Sequence, residues 1–227
     1  KYRHFNSDKK KFIEELNRSE LDVLSLNNQN INLESLGEYR GSHFVRDPRD
    51  LVISGYFYHQ WCPESWCLND DYDWKQITDD PLFKKYFPYV DQWPNGISYQ
   101  DFIKTLGLEQ GLVLEMIWRT GQFRNMAEWD YENPHMLEIK YEDLVGEEAA
   151  AFAKIYDQYD LNPEWKSDWM ALADRFSRKN KKLGEKVHAR DGSNRQWERV
   201  LSPEIRQEFK ERYGALLVKP GYEQDMV

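Results

Sequence analysis

Short apolar runs alternate along the sequence with longer stretches in which apolar residues recur every three or four positions. The short runs, at residues 21–26, 42–45 and 136–139, have the length and the turn-rich borders of buried strands. The longer stretches predict helices, with a break near Gly107 and Gly111 within residues 99–118. Short strands alternating with helices predict an α/β fold, with a central parallel sheet between two helical layers.

The last predicted helix has clear signals at both ends. Ser202 is a suitable N-cap, Pro203 fits the first turn, and Gly214 is expected to end the helix. The predicted helices begin at Ser7, cover residues 50–59, 99–118 and 146–159, run from Pro163 through Phe176, and run from Ser202 to Gly214.

Two segments carry no clear helical or strand pattern. Residues 62–96 are rich in Asp, Pro, Trp and Tyr, and such long irregular segments are usually lids or binding loops. Residues 178–190 are basic and poor in apolar side chains, which predicts a loop. Because no repeat or linker interrupts the pattern, we expect one domain over residues 1–227.

Composition and charge narrow the class of protein. The chain has 227 residues with 9 Trp, 14 Tyr and 11 Phe, and so many aromatic residues exclude a disordered chain. The net charge of -9 makes nucleic acid an unsuitable partner, because such binding depends on Lys and Arg. No apolar run approaches the ~20 residues of a membrane span. Cys62 and Cys67 are too few for a disulfide framework, so we expect reduced thiols in a cytoplasmic protein.

The segment from His43 to His59 has the chemistry of an anion site. A strand ends at Arg46, the chain turns over Pro48, and a helix begins, where free N–H groups and the helix dipole favour an anion. Arg46 adds a guanidinium, and Ser54 adds a hydroxyl further along the helix. The plainer alternative is an ordinary strand-turn-helix in which Asp47 caps the helix and the two arginines pair with surface acids.

The residues of this segment resemble the 3'-phosphate-binding segment of sulfotransferases that use 3'-phosphoadenosine 5'-phosphosulfate (PAPS). The resemblance rests on the Arg46-Asp-Pro-Arg-Asp run followed by Ser54, on Tyr141-Glu-Asp-Leu at a strand end, and on Arg190-Asp-Gly192 before a Trp. It implies a fold related to P-loop NTPases, with Arg46, Ser54, Arg190 and Gly192 at the 3'-phosphate. It also implies that Tyr141 lies near the adenine.

Other features of the resemblance are less complete. Phe176 is implied as an aromatic contact to adenine. Asp191 stands where the family usually has Lys, which removes one positive charge. Nothing in residues 1–41 is similar to the family's 5'-phosphosulfate loop. Because the chain starts at Lys1 rather than Met, we expect that the strand-loop-helix carrying that loop precedes it.

The resemblance implies in-line transfer of a sulfuryl group from PAPS to a hydroxyl or amine of a small molecule, with PAP as the product and no metal. His59 is the candidate base, since an unperturbed His titrates near neutrality. Alternatively, His59 packs beside Trp61 or points to solvent. Two other functions stay open: a nucleotide or sugar kinase on the same architecture, and a PAP-binding module without turnover.

Overall fold

The computed structural model describes residues 2–6, 23–27, 33–36, 38–89, 96–177 and 191–225. The helix predicted after Ser7 and the basic segment 178–190, which includes Arg190, lie outside these ranges. Within them the chain is of mixed α/β type, with parallel strand pairs and a larger number of helices.

The strands form two parallel pairs. Strand β1 (Tyr2–Asn6) pairs with β2 (Val23–Asn27), and β3 (Gly41–Val45) pairs with β4 (Met136–Lys140). Parallel neighbours cannot be joined by a tight turn, so each pair needs a crossover connection. The three predicted strands are observed as β2, β3 and β4, each in a parallel pair, whereas β1 is not predicted by the sequence pattern. The expectation that residues 21–26 form a buried strand is wrong, since β2 is exposed at both ends. The described ranges contain two separate two-stranded sheets, where the sequence predicts one central sheet.

Helices and single helical turns fill most of the remaining described chain. Two short 3-10 helices cover Leu33–Leu36 and Pro163–Trp165. The α-helices are α1 (Pro48–His59), α2 (Lys75–Thr78), α3 (Pro81–Tyr86), α4 (Tyr99–Thr105), α5 (Leu108–Trp118), α6 (Thr120–Glu128), α7 (Tyr141–Leu144), α8 (Glu148–Gln158), α9 (Lys166–Arg175), α10 (Trp197–Val200) and α11 (Pro203–Val218). The longest of these has 16 residues, and none in the described ranges has the length and apolar character needed to cross a membrane.

Helix α1 begins at Pro48, two residues before the predicted start at Asp50. Asp47 is its N-cap and accepts a hydrogen bond from the Arg49 amide at 2.9 Å, while Pro48 occupies the first turn. Asp50 adds an acid near the positive end of the helix dipole. The helix ends at His59, so α1 joins the polar turn after β3 to the interior of the protein.

The core forms where α1 packs against α5. Gly111 on α5 lies so close to the Tyr56 ring that any Cβ there would overlap it, which explains the glycine inside a helix. Side chains from α4, α6, α11 and the segment after α1 complete the core. The largest fully buried side chains are Tyr99, Phe123, Phe209, Ile53, Ile103, Leu112, Leu114, Met116, Ile205, Leu216, Leu217 and Glu115.

Three predictions about element boundaries have different outcomes. The predicted break is confirmed at Gly107, which separates α4 from α5, and is wrong at Gly111, which lies inside α5. The prediction that Gly214 ends the last helix is wrong. Helix α11 is kinked at Tyr213, whose backbone angles are not helical, and it continues to Val218. The prediction that residues 62–96 are irregular is wrong in part. Helices α2 and α3 lie there, and seven of its apolar side chains are buried: Cys62, Cys67, Trp74, Ile77, Leu82, Phe83 and Phe87.

Candidate functional site

The carboxyl ends of β3 and β4 bring two of the predicted site residues together. Val45 and Lys140 are register partners at the ends of these parallel strands. Arg46 and Tyr141 follow them directly, so both side chains start from the same edge of the sheet. The Arg46 guanidinium lies over the Tyr141 ring, 4.4 Å from its centroid. Such a stacked guanidinium is held by the ring and keeps its N–H groups available at the edges.

The Arg46 guanidinium is mostly buried and incompletely bonded. Its Nε and Nη2 atoms are shielded from solvent and have no hydrogen-bond partner among the described residues; we call such atoms unmatched. The nearest carboxylate oxygen is Oδ2 of Asp50, 3.9 Å from Nη2, which exceeds hydrogen-bond length. That oxygen is also unmatched. Buried polar groups in folded proteins are normally bonded, so this group of atoms calls for an explanation.

The late segment around Trp197 closes one side of this site. The Trp197 backbone amide donates to Oδ1 of Asp50 at 2.9 Å, and the Asn194 side chain donates to the Glu142 carbonyl at 2.9 Å. The indole Nε1 of Trp197 is another unmatched atom. Gly192 is buried in the same segment. Three stretches that lie far apart in sequence therefore meet at the start of α1.

Arg49 stands in contrast to Arg46. Asp47 holds its guanidinium through two oxygens, at 3.0 Å to Nε and 2.7 Å to Nη2. Glu223 near the end of the chain accepts from Nη1, and the Trp197 ring lies 3.6 Å from the guanidinium carbon. Because its nitrogens are bonded to carboxylates, Arg49 fastens the C-terminal segment to the start of α1.

The helix start itself offers fewer free amides than the sequence pattern suggests. Pro48 has no N–H, and the Arg49 amide is bonded to Asp47. The Leu51 amide donates to the Asp47 carbonyl at 3.0 Å as part of the helix. The Asp47 carboxylate thus accepts from an amide that could otherwise donate to a bound anion. The positive charge available to an anion at this site is therefore mainly that of Arg46.

Burial sets the electrostatics of Asp50. Its side chain is fully buried, and desolvation raises its pKa above the ordinary value for an aspartate. The amide of Trp197 opposes this rise, the carboxylates of Asp47 and Glu142 add to it, and Arg46 opposes it. The site therefore holds an acid that takes up a proton more readily than a surface aspartate.

The remaining cofactor residues predicted from the sequence fall in different places. Ser54 is half-buried on α1, four residues after Asp50, so the two lie on one face of the helix. Phe176 follows α9 with 68% of its surface exposed, and the Arg175 guanidinium lies 5.6 Å from its ring. Arg190 lies outside the described residues.

His59 lies at the other end of α1, inside the core. It is 3% exposed, and its Nδ1 lies 2.5 Å from Oε1 of Glu115. The same oxygen accepts a hydrogen bond from the Tyr99 hydroxyl at 2.8 Å, and Oε2 lies 3.3 Å from Nε of Arg119. The rings of Trp66, Tyr99 and Trp118 enclose the imidazole. Of the alternative for His59, exposure to solvent is wrong and packing is observed, here against the rings of Trp66, Tyr99 and Trp118.

Glu115 orients the His59 ring through its contact with Nδ1. This contact leaves Nε2 as the ring nitrogen that can bond to another partner. Whether His59 acts as a base stays a prediction. The sequence interpretation missed Glu115, although one signal was present: a single carboxylate inside the apolar run 112–118, where a buried acid requires a partner.

Comparison with known proteins adds no family assignment. No protein-family model, curated protein or solved structure matches the chain. In the described ranges, no group of three or more His, Cys, Asp or Glu side chains is arranged to hold a metal ion. Functional inference therefore depends on the motifs in the sequence and on the geometry around Arg46.

Proposed function

We propose that this protein is a PAPS-dependent sulfotransferase that binds the 3'-phosphate of its cofactor at the carboxyl ends of β3 and β4. The observation that carries the proposal is the buried Arg46 guanidinium with its unmatched Nε and Nη2 atoms. A phosphate would supply the missing acceptors, since planar guanidinium N–H groups suit phosphate oxygens. Ser54 would add a hydroxyl from the same face of α1.

The meeting of the three motif segments supports the same proposal. Tyr141, which the family resemblance assigns to the adenine, lies under the Arg46 guanidinium. The Gly192–Trp197 segment, which the resemblance assigns to the 3'-phosphate, is bonded to Asp50. An accidental match of separate sequence fragments gives no reason for them to meet at one strand edge. In the finer fold we propose, both parallel pairs belong to one sheet of a three-layer α/β/α domain.

In the proposed reaction, PAPS gives its sulfuryl group to a hydroxyl or amine of a small molecule in line with the departing phosphate. The acceptor loses a proton, and PAP leaves. Positioning and charge stabilisation dominate such transfers. His59 is the proposed base, through Nε2, with Glu115 orienting its ring. The aromatic rings around His59, among them Trp66 from residues 62–96, would form the floor of the acceptor pocket.

Ligand titration tests this proposal against its rivals. Calorimetry with PAP, adenosine 5'-phosphate and Mg²⁺–ATP should give the tightest binding for PAP, because only PAP carries a 3'-phosphate. Preference for Mg²⁺–ATP would favour the kinase alternative and would contradict the proposal. Conversion of PAPS to PAP then separates an enzyme from a binding module, because PAP binding without turnover would leave only the module.

A further inference from the structure

The site at the start of α1 contains an acid where an anion site would ordinarily contain donors alone. Its unmatched donors are Nε and Nη2 of Arg46 and Nε1 of Trp197. Its unmatched acceptor is Oδ2 of Asp50, whose side chain has no exposed surface. Oδ2 does not accept a hydrogen bond from Arg46, since 3.9 Å separates it from Nη2. The site thus has donor and acceptor capacity at once.

A carboxylate oxygen restricts which oxyanion can bind beside it. An ionised carboxylate repels a fully ionised anion in a buried site, where charges interact strongly. The repulsion becomes a hydrogen bond if one proton lies between the two groups. A phosphate monoester keeps such a proton readily, since its second pKa is about 6. A sulfate ester has no second ionisation to offer.

We propose that Asp50 is a specificity-determining residue, and that the Arg46 site binds a phosphate monoester together with one proton shared between Asp50 Oδ2 and a phosphate oxygen. The proposal deepens the proposed function and rests on it, since the ligand is the 3'-phosphate of PAP. On this proposal, Asp50 makes the site prefer a phosphate to a sulfate. Burial of Asp50, which raises its pKa, acts in the same direction.

The other charges around Asp50 do not remove the need for this proton. Asp47 and Glu223 share the single positive charge of Arg49, so one negative charge is left there, and the Asp47 carboxylate raises the pKa of Asp50. Glu142 on α7 accepts from the Asp47 amide at 2.9 Å and from the Tyr222 hydroxyl at 3.0 Å. Arg46 therefore stays the cation that faces Asp50 with unmatched nitrogens.

Proton uptake measured by calorimetry tests the proposal directly. PAP is titrated at pH 8 into the wild-type chain and into Asp50→Asn, in two buffers of different ionisation enthalpy. Asn keeps the oxygen that accepts from the Trp197 amide and removes the shared proton. We expect uptake of close to one more proton in the wild type than in the variant, and a wild-type affinity that falls by up to tenfold per pH unit above the phosphate pKa of about 6. Asp143→Asn, which removes an exposed acid from α7, is the matched control and should behave as wild type.

Competition experiments give the second readout. Inorganic phosphate should displace PAP from the wild type at least about tenfold more effectively than sulfate, as expected for a hydrogen bond to a charged group. In Asp50→Asn the two ions should become nearly equal. If PAP binds but both proteins take up the same number of protons and show the same phosphate preference, Asp50 has no such role and the proposal is wrong. If PAP fails to bind the wild type at all, the proposed function itself fails.

Discussion

The two ends of helix α1 both hold buried charged groups, but they use them differently. At the C-terminal end, His59, Glu115 and Tyr99 are joined by hydrogen bonds of 2.5 and 2.8 Å. At the N-terminal end, Arg46 and Asp50 lie 3.9 Å apart and keep unmatched atoms. Oε2 of Glu115 and Nε of Arg119 are also unmatched, but Oε1 of Glu115 contacts both His59 and Tyr99 within hydrogen-bond distance. One helix therefore connects a polar cluster organised by a bonded carboxylate oxygen with a site in which Arg46 and Asp50 are not bonded to each other.

If the proposed function holds, this difference separates groups that stabilise the fold from an arginine that binds a ligand. A buried carboxylate with hydrogen-bonded partners holds its neighbours in place, and removing it leaves those partners buried and unpaired. A buried guanidinium without acceptors costs stability, and a fold keeps it where binding recovers that cost. Glu115 fits the first description, and Arg46 fits the second. The two ends should therefore respond in opposite ways to mutation.

The largest effect is expected at Glu115. Replacement by Ala removes the acceptor of His59 and Tyr99 and leaves Arg119 without its carboxylate, so the free energy of unfolding should fall by about 3–5 kcal/mol. Urea denaturation measures this loss. Glu109→Ala, an exposed site on the same helix α5, should change stability by no more than about 0.5 kcal/mol. If Glu115→Ala left the free energy of unfolding unchanged, the polar cluster at the C-terminal end of α1 would not stabilise the fold.

A smaller loss of stability is expected from a substitution that forces α1 away from Glu115 and Arg119. A Cβ at Gly55 would overlap Oε2 of Glu115 and Nη2 of Arg119, so Gly55→Ala should destabilise the protein by about 1–3 kcal/mol. Gly121 on α6 has open space around it, and Gly121→Ala should instead stabilise by about 0.5–1 kcal/mol through helix propensity. Thermal unfolding of both variants gives the comparison; equal changes in melting temperature would contradict it.

At the N-terminal end, a mutation should stabilise the protein. Since burial raises the pKa of Asp50, the folded state binds its proton more tightly than the unfolded state. Stability is then lost as pH rises from the unfolded pKa of about 3.9 through the folded pKa, by up to about 1.4 kcal/mol for each pH unit that separates the two. Asp50→Asn should thus be more stable than the wild type at pH 7, and the gain should disappear below about pH 4, where both states hold the proton. Urea denaturation at the two pH values measures this, and a variant that is less stable at pH 7 would contradict it.

The His59→Gln variant sharpens the comparison through activity. Gln is close to His in size but has no titratable nitrogen, so PAPS turnover should fall and its dependence on pH should change. PAP affinity should stay within about 0.5 kcal/mol, because the residue lies at the far end of α1 from Arg46. Wild-type turnover and an unchanged pH profile would assign His59 to packing alone.

The sequence predicts much of the local structure in this region. Asp47-Pro48 at the start of α1 and the break at Gly107 follow from residue chemistry, and both are observed. The meeting of Arg46, Tyr141 and the Trp197 segment could be predicted only from the family resemblance. No local pattern relates residues so far apart in the chain.

Other features depend on tertiary packing and could not be predicted. An aspartate lies beside an arginine at both Asp47–Arg49 and Arg46–Asp50. The first pair is hydrogen-bonded, whereas the second is separated by 3.9 Å. The five residues from Arg46 to Asp50 do not reveal which arginine bonds to Glu223 near the end of the chain. The burial of His59 against Glu115 also depends on how α1 and α5 pack, for which Gly55 and Gly111 are the clearest signals in hindsight.

The central claim is that Arg46 holds the 3'-phosphate of the cofactor. Calorimetric titration of PAP and adenosine 5'-phosphate into wild type and Arg46→Ala tests it most directly, with Arg124→Ala, an exposed site on α6, as control. We predict that Arg46→Ala weakens PAP binding by about 1.5–3 kcal/mol, the range for hydrogen bonds to charged groups, and leaves adenosine 5'-phosphate binding nearly unchanged. An equal loss for both ligands, or no loss for PAP, would contradict the claim and remove Arg46 from the phosphate site.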